Sequence, residues 1–296
     1  MKKWLQAFRL RTLPLALASI GMGAFLAAAS GHFNALIFSL CALTTILLQI
    51  LSNLANDYGD TVHGADGAER TGPSRAVQSG LISQRAMLRA IIVFSVLSLA
   101  SGVALVYVAF GSFGEFFWYF MGLGGLCILA AITYTAGKRP YGYAGLGDIS
   151  VLIFFGFVAV LGSAFLYEQR INWNYILPAL SVGFFSVAVL NVNNIRDIDS
   201  DRKAGKKSVP VRLGRKAAVT YHKLLLGLGL VFSLVYVATY FAAPQQLLFV
   251  LVAPLLLMNA RAVSTKTASE QLDPYLKQMA LSTLLFVLLF GLGQLL

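Results

Sequence analysis

Two stretches of this 296-residue chain pair asparagine with aspartate at the same interval. The first reads Asn53-Leu-Ala-Asn56-Asp57-Tyr-Gly-Asp60, the second Asn193-Asn194-Ile-Arg196-Asp197-Ile-Asp199-Ser-Asp201. Each holds Asn-x-x-x-Asp, and each directly follows a long apolar run. Carboxylates beside a bilayer are costly and mark function. On a helix, residues four apart share a face. Asn53 then aligns with Asp57, with Asp60 one turn on, and Asn193 aligns with Asp197 and Asp201. Two helices can thus aim hard oxygen ligands at one place. Mg2+ takes one or two protein carboxylates and fills its octahedron with water and substrate phosphate. Cations flank both sets: Arg70 and Arg75 after the first, then Arg202, Lys203, Lys206, Lys207 and Arg212 after the second. A third loop adds Lys138 and Arg139 behind Tyr134. Carboxylates for a metal, with Lys and Arg for phosphate oxygens, suit a metal–diphosphate complex.

The bland readings are specific too. Loops on the inner side of a membrane are rich in Lys and Arg for topological reasons alone. Asp199 reads as solvated, and Glu115 and Glu168 as ordinary rim residues. Yet of the 12 Asp and Glu, most fall in the two sets or just beyond, at Asp57, Asp60, Asp66, Glu69, Asp197, Asp199 and Asp201. Cys41 and Cys127 read as small apolar core residues. The three histidines are scattered, which leaves no His/Cys site for a transition metal and no Ser-His-Asp arrangement.

The elements that must carry these groups are helices in lipid. The chain is 58% hydrophobic and 12% charged, with mean hydropathy +0.75, the composition of a polytopic membrane protein. A span needs roughly 20 mostly apolar residues. The sequence predicts nine, near 13–31, 34–53, 87–109, 116–134, 148–167, 173–193, 217–240, 243–261 and 275–296. The expected fold is all-α: a bundle of about nine transmembrane helices around a central cavity open to the cytoplasm. Residues 1–296 make one domain.

The net charge of +11 could suggest a nucleic-acid partner, but its distribution excludes that. With the N-terminus in the cytoplasm, the segments 53–86, 135–147, 194–216 and 262–274 fall inside. Of 23 Lys and Arg, all but Arg170 lie in or beside inside segments. The run Leu13 to Ala29 is longer than the core of a cleavable signal and reads as a retained first span. Trp4 to Arg11 before it reads as interfacial. The two acidic sets end spans two and six, four spans apart. That offset suggests a parallel repeat of spans 1–4 and 5–8, which would face both sets across one cavity. Each large inside segment carries one proline: Pro73, Pro140, Pro210 and Pro274.

At these residues the chain resembles the UbiA superfamily of intramembrane aromatic prenyltransferases. Asn53 to Asp60, on to Asp66, is similar to the first Asp-rich motif of that family. Arg196-Asp197-Ile-Asp199-Ser-Asp201, with Ala204-Gly205-Lys206-Lys207, is similar to the second. Tyr134-x-x-x-Lys138 resembles its Tyr/Lys motif. The stretches Arg9-Leu-Arg11-Thr-Leu-Pro14 and Thr133 to Asp148 look most like the branch that prenylates and decarboxylates 1,4-dihydroxy-2-naphthoate. The resemblance implies that Asp57, Asp60, Asp197 and Asp201 hold Mg2+ against an isoprenoid diphosphate. Asn53, Asn56 and Asn193 would complete or orient that shell, and Arg196 stands within the second motif. Lys138, Arg75 and Lys206 or Lys207 would meet the diphosphate, and Tyr134 would orient it or face the developing cation. Asp66 is the one candidate base for the ring proton.

Rivals within the fold differ only in acceptor, such as 4-hydroxybenzoate. A CDP-alcohol phosphotransferase would need D-x-x-D-G-x-x-A-R, but Thr61 follows Asp60. A transporter would place its ion site near the bilayer midplane, whereas these acids lie at span ends. Chain length of the donor and oligomeric state are not legible in the sequence.

Overall fold

Hydrocarbon offers the backbone no water to bond, so a spanning segment must satisfy its own N–H and C=O groups. The computed structural model describes residues 2–64 and 75–296, and no strand occurs among them. In chain order its helices are α1 (Lys2–Phe8), α2 (Leu13–Ala29), α3 (Ala35–Val62), α4 (Gln84–Phe110), α5 (Glu115–Thr133) and α6 (Gly147–Glu168). There follow α7 (Trp173–Arg196), α8 (Ile198–Lys203), α9 (Val209–Leu213), α10 (Arg215–Thr239), α11 (Pro244–Thr265) and α12 (Ser269–Leu295). Among the described residues nine helices are long and apolar enough to cross a membrane, the first running from α1 through α2. They match the nine expected runs one for one.

Local signals set the ends. The Asn34 side chain opens α3 by accepting from the N–H groups of Leu36 (2.9 Å) and Ile37 (3.2 Å). Gly111 closes α4 in the left-handed conformation that glycine adopts without strain. In lipid, close approach and polar contacts decide how helices pack. α6 and α7 cross at Gly156 and Gly183, where a Cβ on Gly183 would stand 3.3 Å from the Gly156 Cα. Over Leu152–Leu161, α6 winds as a π-helix, a geometry that recurs at functional sites.

The largest core gathers α2, α6, α7, α10, α11 and α12 around Phe185, Phe249, Phe286 and Phe290. A second core seats α1 and the segment after residue 75 against α3 and α4. Glu168, expected as a rim residue, is buried instead. It accepts from Ser30 Oγ (2.9 Å) and the Tyr175 hydroxyl (2.7 Å) and pairs with Arg170, fastening α2, α6 and α7.

One expected boundary is corrected. Residues 262–274 were expected as an inside loop, but α11 runs to Thr265 and α12 starts at Ser269, with Pro274 inside it. Tertiary anchors override the proline. Leu272 and Leu276 are buried, Ser269 Oγ donates to the Arg196 carbonyl (2.8 Å), and Asp273 binds Arg11 and Arg196.

Candidate active site

α3 carries the first acidic set on unbroken helix as far as Val62. α7 ends at Arg196, and Asp197 turns the chain into α8. Bonds from the Asp197 N–H to the Asn193 carbonyl (3.0 Å) and from the Asp201 N–H to the Asp197 carbonyl (2.8 Å) keep the second set stacked. The segment from residue 75 and the loops after α5 and α8 close over these ends. Lys207 N–H donates to the Tyr143 carbonyl (3.0 Å), and Arg212 donates to the Ala144 carbonyl (2.6 Å).

Asp60 joins all three loops. Its carboxylate accepts from Arg75 (2.8 Å), the Tyr143 hydroxyl (3.0 Å) and Lys206 Nζ (2.9 Å). Lys206 also reaches Asp201 (3.4 Å) and lies over the Tyr143 ring, 4.8 Å from its centroid. Burial works against the Lys206 charge, but Asp60 and then Asp201 hold it above the ordinary lysine range. Asp201 is pushed up to about 6, first by burial, with Asp197 and Asp60 adding and Lys206 opposing. Acids from α3 and α8 therefore feel one another and share a single ammonium.

These groups form one end of a cavity of about 440 Å³. Of the expected residues, Asn53, Asn56, Asp60, Arg75, Tyr134, Asn193, Asp197, Asp201 and Lys206 line it. Burial pushes the Tyr134 phenol up, with Asp148 and Asp60 adding to the effect. Asn56 accepts from Thr135 Oγ1 (3.0 Å), which ties α3 to the Tyr134 loop.

Four expected residues lie off the cavity. Asp57, 2% exposed, accepts from the N–H groups of Ala76 (3.0 Å) and Val77 (3.1 Å) and so anchors the segment after α3. Arg196 forks onto Asp197 (2.7 and 2.8 Å) and reaches Asp273 (2.6 Å) and Asn193 (2.8 Å). Lys138 and Lys207 are exposed. Asp66 lies outside the described residues.

The structure also adds residues that sequence reasoning passed over. Tyr143 bonds Asp60. Asp148, at the head of α6, lines the cavity and accepts from the Tyr221 hydroxyl of α10 (2.9 Å). A carboxylate opening an apolar run was a usable signal for Asp148; nothing in sequence marked Tyr143. Arg9 lines the cavity from a left-handed backbone (φ 48°). Asn53 holds that turn by donating to the Phe8 carbonyl and to Thr12 Oγ1, both at 2.9 Å.

The donor set suits Mg2+ in kind. Its oxygens are carboxylates and amides, and the Lys206 ammonium already stands where two acids call for positive charge. Among the described residues no three His, Cys, Asp or Glu converge as a ready-made cage.

An acid-and-base pole at the ends of membrane-spanning helices, opening into a cavity between them, belongs to an integral membrane protein. The UbiA prenyltransferase family model matches residues 16–291, and the chain belongs to that family. It is 48% identical to the 1,4-dihydroxy-2-naphthoate octaprenyltransferase of Escherichia coli, over 98% of this chain and 94% of the relative. Against the enzyme of the same name from Mycobacterium tuberculosis it is 34% identical, covering 97% and 94%. The fold resembles a UbiA homologue from Aeropyrum pernix (TM-score 0.70, 18% identity, 97% of each chain). It also resembles one from Archaeoglobus fulgidus bound to GPP and Mg2+ (TM-score 0.66, 17% identity, 99% of this chain and 100% of that one).

Proposed function

We propose that this protein transfers a polyprenyl group from an isoprenoid diphosphate to 1,4-dihydroxy-2-naphthoate, with loss of the carboxylate as CO2, in a Mg2+-dependent reaction. The observation that carries the reading is full-length similarity to relatives of that name. The cavity supports it, having an acidic and basic pole and an apolar interior reaching Cys41, Leu105 and Phe120.

In this reading Asp60, Asp197 and Asp201 hold the metal, with Asn53, Asn56 and Asn193 orienting them. Asp57 serves the same end by anchoring the segment that delivers Arg75. Bound Mg2+ would supply Lewis acidity to the departing diphosphate. Lys206 and Arg75 turn from carboxylates to phosphate oxygens and stabilise the leaving group. Tyr134 and Tyr141, which both line the cavity, would present aromatic faces to the reacting carbon, which favour developing positive charge. Asp148, held by Tyr221, would contact the acceptor's hydroxyls, and Asp66, the candidate base, lies outside the described residues. Close walls exclude water from the allylic centre. The reading treats residues 1–296 as one domain of two parallel halves, in the bacterial inner membrane, with the N-terminus and acidic pole on the cytoplasmic side.

The test is a product assay. Detergent-purified protein with Mg2+, an isoprenoid diphosphate and 1,4-dihydroxy-2-naphthoate should give a prenylated, decarboxylated naphthoquinone by mass spectrometry. Prenylation of 4-hydroxybenzoate instead would keep the reaction type and correct the acceptor. No product with either would reject the reading.

A further inference from the structure

Beyond its polar pole the cavity climbs between α3, α4, α5 and α6. Asp60 and Cys41, both on its wall, lie about 28 Å apart along α3 at 1.5 Å per residue. Three glycines line the upper part, one on each of three helices: Gly102 on α4, Gly124 on α5 and Gly162 on α6. Counted from the far ends of their helices they lie about 9 to 14 Å in, close to one level.

A Cβ built on any of the three meets no atom within 4 Å. Close packing therefore does not account for them. Gly23 and Gly156 show what such packing looks like, with a Cβ running into neighbouring backbone at 2.5 and 2.9 Å. Glycine within a helix costs more backbone entropy than alanine does. What these positions gain is width inside the cavity. α5 supplies an internal comparison. Gly122 and Gly125 also meet nothing within 4 Å, but they lie off the cavity wall.

We propose that Gly102, Gly124 and Gly162 form a calibre ring that lets long isoprenoid chains pass into the outer half of the channel. The inference rests on the prenyl-diphosphate reading above. An isoprene unit adds four main-chain bonds, about 5 Å if three extended bonds span 3.8 Å as they do between Cα atoms. Gly124 lies about 15 Å along α5 from Tyr134. A geranyl chain of two units ends below the ring; geranylgeranyl and octaprenyl chains must pass through it.

The experiment places leucine at each glycine and follows kcat/KM with geranyl, farnesyl, geranylgeranyl and octaprenyl diphosphates. Gly122→Leu and Gly125→Leu serve as off-cavity comparisons. Gly102→Leu, Gly124→Leu and Gly162→Leu should use geranyl diphosphate within about twofold of wild type and lose about tenfold or more with the two longest donors, the scale of a blocked apolar pocket. The off-cavity variants should keep the wild-type length profile. Where a leucine variant does not fold, the alanine variant at that position should show a smaller loss in the same order of chain length. Cavity variants indifferent to chain length would overturn the ring, as would an equal loss in the off-cavity pair. A wild-type protein inactive with every donor would instead reject the underlying reading, and the ring with it.

Discussion

Lys206 Nζ lies 2.9 Å from Asp60 Oδ1, so the loop after α8 is pinned to the end of α3 by a buried ion pair. The same ammonium reaches Asp201. One lysine therefore balances acids from both motifs.

Lys206→Met removes that balance. Without metal Asp201 loses its ammonium partner and Asp60 keeps only Arg75 and Tyr143, and stability should fall on the order of 2 kcal/mol. Added Mg2+ should then raise the melting temperature of Lys206→Met more than that of wild type. An equal Mg2+ response in both proteins would show that Lys206 and the ion do not serve the same carboxylates.

Asp57→Ala tests anchoring. Two buried N–H groups lose a charged acceptor, at a cost of about 2–3 kcal/mol. The amides of Ala76 and Val77 should exchange with solvent much faster, and Arg75 should lose its hold on Asp60. Wild-type exchange at those two amides would remove the anchoring role.

Asp201 is held at about 6 against an ordinary 3.8, so metal binding through it, as proposed, would be pH-dependent. The metal needs the ionised form, so below pH 6 a proton competes. Apparent Mg2+ affinity should drop about tenfold for each further pH unit of acidification. Without metal the sign reverses. The folded state holds the proton more tightly than the unfolded chain, so stability from this group is present below about pH 4 and is lost as pH rises through 6. Titration calorimetry with Mg2+ from pH 5 to 7.5 checks the first arm, and thermal unfolding in chelator the second. Flat Mg2+ affinity across that range would contradict the assignment.

Tyr221→Phe removes the 2.9 Å bond between α6 and α10, and Asp148→Asn leaves its acceptor without charge. Both should raise KM for the aromatic acceptor about tenfold, the worth of a lost hydrogen bond to a charged group. KM for the diphosphate donor should change little. The reverse pattern would move Asp148 to the donor end.

Gly59→Ala should loosen the acidic pole from behind. A Cβ there would stand 2.4 Å from the Thr135 carbonyl oxygen. Backbone cannot yield as a flexible side chain can, so a loss of about 2–3 kcal/mol is expected. Tyr134 should shift with its loop, visible as altered near-ultraviolet circular dichroism.

The spans were legible because each is a long apolar run, and the acids stood out because carboxylates are rare beside lipid. Proline misled at Pro274, since nothing near it in sequence announces that Asp273 will bind Arg11 and Arg196. The two acidic motifs read alike, yet their carboxylates do different things. Asp57 faces the amides of residues 76 and 77, a pairing between distant loops that spacing does not encode. Lys138 looked equal to Lys206 as a cation after a motif; only the fold sends one inward and leaves the other outside. Asp148 was visible as a charge, but its partner Tyr221 lies on a helix far along the chain.

Asp273 grips Arg11 at 2.9 Å and Arg196 at 2.6 Å, so α12 closes a seam with the start of α2 and the end of α7. That has a consequence for biogenesis. Until α12 has left the ribosome and entered the bundle, Arg196 lacks one of its two carboxylates, and Asp197 is oriented by a guanidinium that is itself unmoored. Synthesis and assembly of the second acidic motif are therefore coupled, because the motif gains its Asp273 anchor only after α12 arrives.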